Sequence, residues 1–352
     1  MDDSTNMNIL IVKMSSIGDV IHTLPAVNGL RAHFPDARIT WLVEEAASAI
    51  VASHEAVDRV LISKRSRWVR GLLGASCLEN AKEIFRFVGQ LRDTRYDLVI
   101  DFQGLMKSAA LVGLCRGKRK IGYNRTREWS YLALDERIEP YDMNAHAVYR
   151  YLNLIRHLNV STSEIKFKIP YDEKDLSRVQ TMLREGGWSS GQPVVAMSPV
   201  ARWETKLWDA EKFAHLADRL IADSGCLVVF TGNEADREEI ANTRSRMNHP
   251  CMDFSGRTDL RGLAALYAIS TCVVSTDTGP MHLAAATETP VVALFGPTAP
   301  WRTGPFGEGH QVLRSEISCS PCFKRRCDSK TCMQDISVSR VFDSVAAILK
   351  RS

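Results

Sequence analysis

Two short stretches hold the side chains best suited to chemistry. In the first, Ser15-Ser16-Ile17-Gly18-Asp19 follows the β-branched run Ile9-Leu10-Ile11-Val12 and Lys13. It leads to Thr23 and Pro25, which read as the cap and first turn of a helix. Open α/β sheets bind ligands outside the carboxyl ends of their strands, so a carboxylate placed there is a candidate general base. Asp is equally at home capping a turn or a helix, and Asp19 also fits that structural part. The second stretch runs from Val273 through Asp277-Thr278-Gly279 to Pro280 and His282. Proline is welcome at the first helical position, and such a helix start offers unpaired N–H groups that suit a phosphate or diphosphate. Gly279 would admit close backbone approach, while Thr278 and His282 can add hydrogen bonds. A plain helix cap beside a core histidine would explain Pro280 but leave Asp277 and His282 without a task.

Other features point to the same sheet edge. The loop after residues 194–197 carries Arg202 and Lys206, cations suited to phosphate. Thr231-Gly232-Asn233-Glu234-Ala235-Asp236 follows another strand-like run, and its acids suit ribose hydroxyls. Phe295-Gly296-Pro297-Thr298 closes a third run with a tight turn. Each alone is an ordinary βα loop, and their convergence is the signal. Cys319, Cys322, Cys327 and Cys332 fall within fourteen residues. Four thiols so close could hold zinc or an iron–sulfur cluster, although the spacing is not that of a paired C-x2-C ribbon. A reduced cysteine-rich surface loop fits as well, and no metal ligand is assigned.

The elements that must position these residues alternate between strand and helix. Strand-like runs cover residues 8–13, 38–43, 59–62, 96–101 and 119–122, with helical patterns at 24–33, 78–91, 105–115 and 145–158. The second half repeats the scheme, with strands at 194–197, 226–231, 251–254, 272–275 and 291–295. Its helices are expected at 210–223, 236–247, 260–268 and 280–286. The central runs lack in/out alternation, which points to parallel sheets covered on both faces. This predicts an α/β protein of two doubly wound, Rossmann-like domains, residues 1–170 and 193–336. Residues 171–192, with a polar helix and a Gly-rich stretch, would form a hinge, and 337–352 an amphipathic terminal helix.

Composition narrows the function. Hydrophobic content of 45% and charge of 24% are those of an ordinary globular protein. The acidic, polar opening cannot serve as a signal peptide, and no apolar run is long enough to cross a bilayer. Nine cysteines without an export signal argue for a reduced, cytoplasmic protein. Net charge is only +4, yet residues 64–70 hold four cations, Arg67 among them, and residues 116–127 hold six, ending at Arg127. The first half is therefore expected to meet a polyanion. No dinucleotide fingerprint, P-loop or nucleophile elbow occurs. The basic clusters lack an RNA-binding aromatic signature, so no nucleic-acid partner is expected.

The stretch Lys13-Met14-Ser15-Ser16-Ile17-Gly18-Asp19-Val20-Ile21-His22-Thr23-Leu24-Pro25 resembles the opening motif of the ADP-heptose:lipopolysaccharide heptosyltransferases of glycosyltransferase family 9, most like the heptosyltransferase I kind. Residues 101–108, 275–283 and 295–298 are similar to further family motifs. The Cys segment is similar to one frequent in the heptosyltransferase II kind. The resemblance implies a GT-B fold, with the two domains facing a central cleft, the acceptor on the first and the ADP-sugar on the second. It also implies a terminal helix packing back on the first domain.

The implied reaction is inverting transfer of L-glycero-D-manno-heptose from ADP-heptose to Kdo of a lipid A–Kdo acceptor. Asp19 would be the base, and Lys206 with the helix start at Thr278 and Gly279 would stabilise the departing diphosphate. Asp277 and His282 would orient the donor, and Asp236 would hold the ribose. Ser15, Ser16, Gly18, Gln103, Lys107, Arg67 and Arg127 would meet the acceptor. ADP is already a good leaving group, so no cofactor or metal is required. A lipid-borne acceptor implies reversible contact with the cytoplasmic face of the inner membrane. Rival readings are an enzyme adding heptose to the first core heptose, a sugar-nucleotide epimerase, and a non-catalytic module that binds anions or lipid.

Overall fold

The apolar run Ile9-Leu10-Ile11-Val12 is wholly buried and forms β1 (Asn8–Val12) near the middle of a parallel sheet. In this computed structural model, which describes residues 7–71, 77–126, 128–162 and 164–351, the chain divides into two units, Met1–Pro170 and Tyr171–Ser352. The other strands of the first unit are β2 (Arg38–Glu44), β3 (Arg59–Ser63), β4 (Arg95–Asp101), β5 (Arg116–Tyr123) and β6 (Glu136–Ile138). Their order is β3-β2-β1-β4-β5-β6. The second unit holds β7 (Val194–Ser198), β8 (Leu227–Phe230), β9 (Met252–Asp253), β10 (Cys272–Thr276), β11 (Val291–Phe295) and β12 (Gln311–Arg314). Their order is β12-β11-β10-β7-β8-β9, again with every pairing parallel.

Both sheets therefore reverse their winding direction once, between β1 and β4 in the first unit and between β7 and β10 in the second. Loops at such a switch point leave in opposite directions and open a crevice at the strand ends. β6 and β12 escape the pattern reading because they are short, partly exposed edge strands with no continuous apolar run.

Two expectations are corrected, at the first and the last helix. The first helix, Ile17–His33, begins well before Thr23 and carries Pro25 inside it. The polar helix expected between the two halves is Glu173–Glu185, N-capped by Asp172. Asp172 and Asp175 pair with Arg261 on the helix Leu260–Ile269, at 2.8 and 2.7 Å, and fasten it to the second unit. The terminal helix Val338–Leu349 spends its apolar stripe in the second unit. Val341, Val345 and Ile348 join Leu216 and Leu220 of the helix Ala210–Ser224 in one core. Among the described residues no helix is long and apolar enough to cross a membrane.

Candidate active site

At the switch point of the first unit, the loop after β1 meets the loop after β4. Asp101, at the end of β4 and almost wholly buried, accepts the N–H groups of Gln103 (2.9 Å) and Gly104 (3.1 Å) and the Ser108 hydroxyl (3.0 Å). Burial pushes the Asp101 carboxyl up even though these donors favour its charge. Gly104 sits at φ +62°, in the left-handed region where glycine is unstrained. The turn so fixed aims the Gln103 side-chain oxygen at the backbone N–H groups of Met14 and Ser15, both 3.0 Å away. Lys107 donates to the Ser15 hydroxyl at 2.5 Å and pairs with Glu44, at the end of β2, at 2.8 Å. Ser15, Gln103 and Lys107 thus belong to one scaffold, with Gln103 shaping the loop rather than facing outward.

Asp19 lies in the first turn of Ile17–His33, where the buried Gly18 precedes it. One carboxylate oxygen accepts the Ser16 N–H (3.0 Å) and hydroxyl (2.9 Å), which is the capping function foreseen from sequence. The other oxygen accepts the Tyr151 hydroxyl at 2.9 Å and lies 3.8 Å from the Lys13 ammonium. Lys13 also donates to the Tyr151 oxygen (2.7 Å) and to the Phe102 carbonyl (3.2 Å). Burial alone would raise the Asp19 carboxyl, but Lys13, Ser16 and Tyr151 together bring it below the ordinary carboxylate range. Burial lowers Lys13, and it pushes the Tyr151 phenol far up, with the Asp19 charge adding to the rise. The result is an ionised carboxylate with 38% of its side chain still open, backed by a buried ammonium and a neutral phenol. Asp19 is therefore both a cap and an available base.

The second unit repeats the plan. Lys206, in the loop after β7, donates to the Asp277 carboxylate (2.6 Å) and carbonyl (3.0 Å) at the end of β10. The Thr298 hydroxyl, in the loop after β11, holds the same Asp277 oxygen at 2.7 Å. An ammonium has three donors, so one remains for a ligand. Beside this clamp starts the helix Gly279–Ala286, whose N-cap, Thr278, makes no side-chain capping bond. His282 lies buried one turn in. Such a helix start, next to a fixed ammonium, presents donors of the kind that suit an anion.

Other expected residues stand apart. Arg67, on the helix Arg65–Gly71, pairs with Glu83 at 2.9 Å. Arg127 lies outside the described residues. Asp236 accepts the Asn233 N–H at 2.8 Å in the loop after β8, so one oxygen is committed to a cap. Among the described residues, no group of three or more His, Cys, Asp or Glu is placed to hold a metal ion. Sequence reasoning missed Tyr151 and Glu44 altogether and treated Lys13 only as a strand end. A lysine closing a buried β-branched run is itself a signal, because burying an ammonium demands partners.

Residues 84–333 match glycosyltransferase family 9 (heptosyltransferase). Lipopolysaccharide heptosyltransferase 1 of Pseudomonas aeruginosa is 33% identical over 331 residues, covering 94% of this chain and 90% of that protein. Among solved structures, E. coli heptosyltransferase WaaC with ADP aligns at a TM-score of 0.76 and 28% identity, over 97% of this chain and all 100% of the other. E. coli heptosyltransferase WaaC with ADP-2-deoxy-2-fluoro heptose aligns at 0.74 and 27%, over 97% and 99%. With two switch-point sites on two parallel sheets and a match of this extent, the chain belongs to glycosyltransferase family 9 and has its GT-B fold.

Proposed function

We propose that this enzyme transfers L-glycero-D-manno-heptose from ADP-heptose to Kdo of the lipopolysaccharide inner core, with inversion at the anomeric carbon. The observation that carries the reading is Asp19, ionised and half-open, with its orientation fixed at both oxygens. An acceptor hydroxyl becomes acidic only as it bonds to the anomeric carbon. A carboxylate of low pKa can therefore take its proton late in the step. Tyr151 and Lys13 hold Asp19 in place, and Lys107 and Gln103 hold the loop that would bind the acceptor.

The departing ADP needs charge stabilisation rather than a proton. Lys206, kept in position by Asp277 and Thr298, and the N–H groups at the start of Gly279–Ala286 would supply it, with Asp236 near the ribose and His282 orienting the donor. Support for the donor and acceptor comes from relatives that are lipopolysaccharide heptosyltransferases, one of them solved with ADP-2-deoxy-2-fluoro heptose. Peripheral contact with the membrane fits a lipid-borne acceptor. It is supported by Val69, Leu78 and Phe85, which lie 54%, 78% and 84% exposed, Val69 on the basic helix Arg65–Gly71 and the other two on the mixed-charge helix Cys77–Arg92.

The test is ADP release from ADP-heptose with Kdo2-lipid A, with a heptosylated core acceptor, and with none. Release only with Kdo2-lipid A is expected, and Asp19→Asn should slow it by about 10²–10⁴-fold while leaving ADP affinity nearly unchanged. Release that needs no acceptor would overturn the reading. Full activity in Asp19→Asn would remove the base.

A further inference from the structure

The Cys-bearing segment has no part in the chemistry above, yet it is strapped over the C-terminal edge of the second sheet. Ser320 donates its hydroxyl to the Gly296 carbonyl at 2.6 Å. The N–H groups of Cys322 and Phe323 both reach the Pro297 carbonyl, at 3.0 and 2.8 Å. Further along, the Lys324 carbonyl accepts the Thr205 hydroxyl at 2.8 Å, and Lys330 pairs with Glu204 at 2.5 Å. The segment therefore runs from the loop after β11, which carries Thr298, to the loop after β7, which carries Lys206.

This course sets Arg325 and Arg326 beside Arg202, Trp203 and Glu204 around a cavity of about 400 Å³. The Arg325 guanidinium lies 5.0 Å from the centre of the Trp203 ring, and the Lys206 ammonium 4.7 Å from the same ring. The donor-site lysine and the arginine of the segment thus share one indole. Glu204 is engaged by Lys330. Among the described residues, no ion pair holds Arg202, Arg325 or Arg326. The Glu204 carboxylate lines the same cavity and is held charged by Lys330 and Arg326, so it offsets only part of the charge of three guanidiniums, and the planar fork of each matches phosphate oxygens two at a time.

We propose that Arg202, Arg325 and Arg326 form a phosphate-binding subsite beside the Lys206–Asp277 clamp, built by the Cys segment. This rests on the transferase reading. The ligand is a phosphate group, carried either by the nucleotide sugar or by the acceptor saccharide. The segment's part is then to present arginines, on a course defined by its tethers to Gly296, Pro297 and Thr205.

The test compares wild type with Arg325→Ala/Arg326→Ala and with Arg202→Ala, using ADP and adenosine titrations together with acceptor kinetics. Phosphate from the donor predicts ADP binding weakened tenfold or more in the double variant, with adenosine binding unchanged. Phosphate from the acceptor predicts unchanged ADP binding and a KM raised tenfold or more for the phosphorylated acceptor, but not for its dephosphorylated form. Replacing both residues by Lys should restore part of either loss. Variants that match wild type in every titration and KM overturn the subsite, as does equal weakening of ADP and adenosine, which signals a distorted fold. A wild type with no acceptor-dependent ADP release overturns the transferase reading instead. The subsite is then decided by inorganic pyrophosphate titration, in which the wild type must bind and the double variant must not.

Discussion

Lys13 keeps Asp19 charged in a place where burial works against charge. The pair also explains what could and could not be read at the level of single residues. Asp19 was legible because its loop, strand and helix are contiguous. Tyr151 was not, since it stands 132 residues further along and reaches Asp19 only through the packing of its helix, Ala147–Arg156. Gln103 was read as an acceptor contact, and only the structure reveals that its oxygen is spent on two backbone N–H groups. Lys13→Met removes the largest influence lowering the Asp19 carboxyl and leaves burial, which raises it. With Asp19 as the proposed base, active only when ionised, the acid limb of kcat/KM against pH should move to higher pH. Lys13→Arg should hold it near its original place. A limb that stays put in Lys13→Met would mean that Lys13 does not set the charge of Asp19.

At the level of elements, the buried parallel strands were legible from their unbroken apolar runs, whereas position-dependent residues misled. Proline at the first helical position is the common case, and Pro25 breaks it by sitting inside Ile17–His33, where it costs the helix one N–H donor. The Thr23 hydroxyl bonds the Asp19 carbonyl at 2.8 Å within the turn before it. Asp218 shows the reverse, a charged residue whose purpose no pattern reveals. On the buried side of Ala210–Ser224, it accepts the N–H groups of Asn248 and His249 at 2.8 and 2.9 Å, and so pins the loop before β9. Burial would raise its carboxyl, but these donors outweigh it and the net shift is downward. A depressed carboxyl stabilises the fold above its unfolded pKa and loses that contribution as the pH falls through its folded value. Asp218→Ala should cost about 1–3 kcal/mol in urea unfolding at pH 7, and the gap from wild type should narrow in acid. A gap independent of pH would assign the loss to packing alone.

For the molecule as a whole, each unit has its own core and its own switch-point site, a repetition legible in the sequence as two successive α/β patterns. The first unit adds a surface of a different kind. Leu78 and Phe85 stand exposed on Cys77–Arg92 among Lys82 and Arg86, close to Arg67 and its partner Glu83. Exposed apolar side chains beside Lys82 and Arg86, with Glu79 and Glu83 on the same helix, suit the interfacial region of a bilayer carrying anionic lipid. Co-sedimentation with vesicles rich in anionic lipid is expected at low salt. It should fall as salt rises, and it should weaken in Leu78→Ser/Phe85→Ser with turnover on a short, lipid-free acceptor retained. No binding at low salt would exclude this surface. The docking of Glu173–Glu185 onto Leu260–Ile269 has a consequence for anyone recombining such enzymes. A chimera joined in the Gly-rich stretch at 186–192 would strip Arg261 of both its aspartates and uncover Val179 and Leu183. A crossover placed between Pro170 and Tyr171 would carry the helix along with the unit it is fastened to, making that peptide the natural seam for exchanging the second unit between relatives.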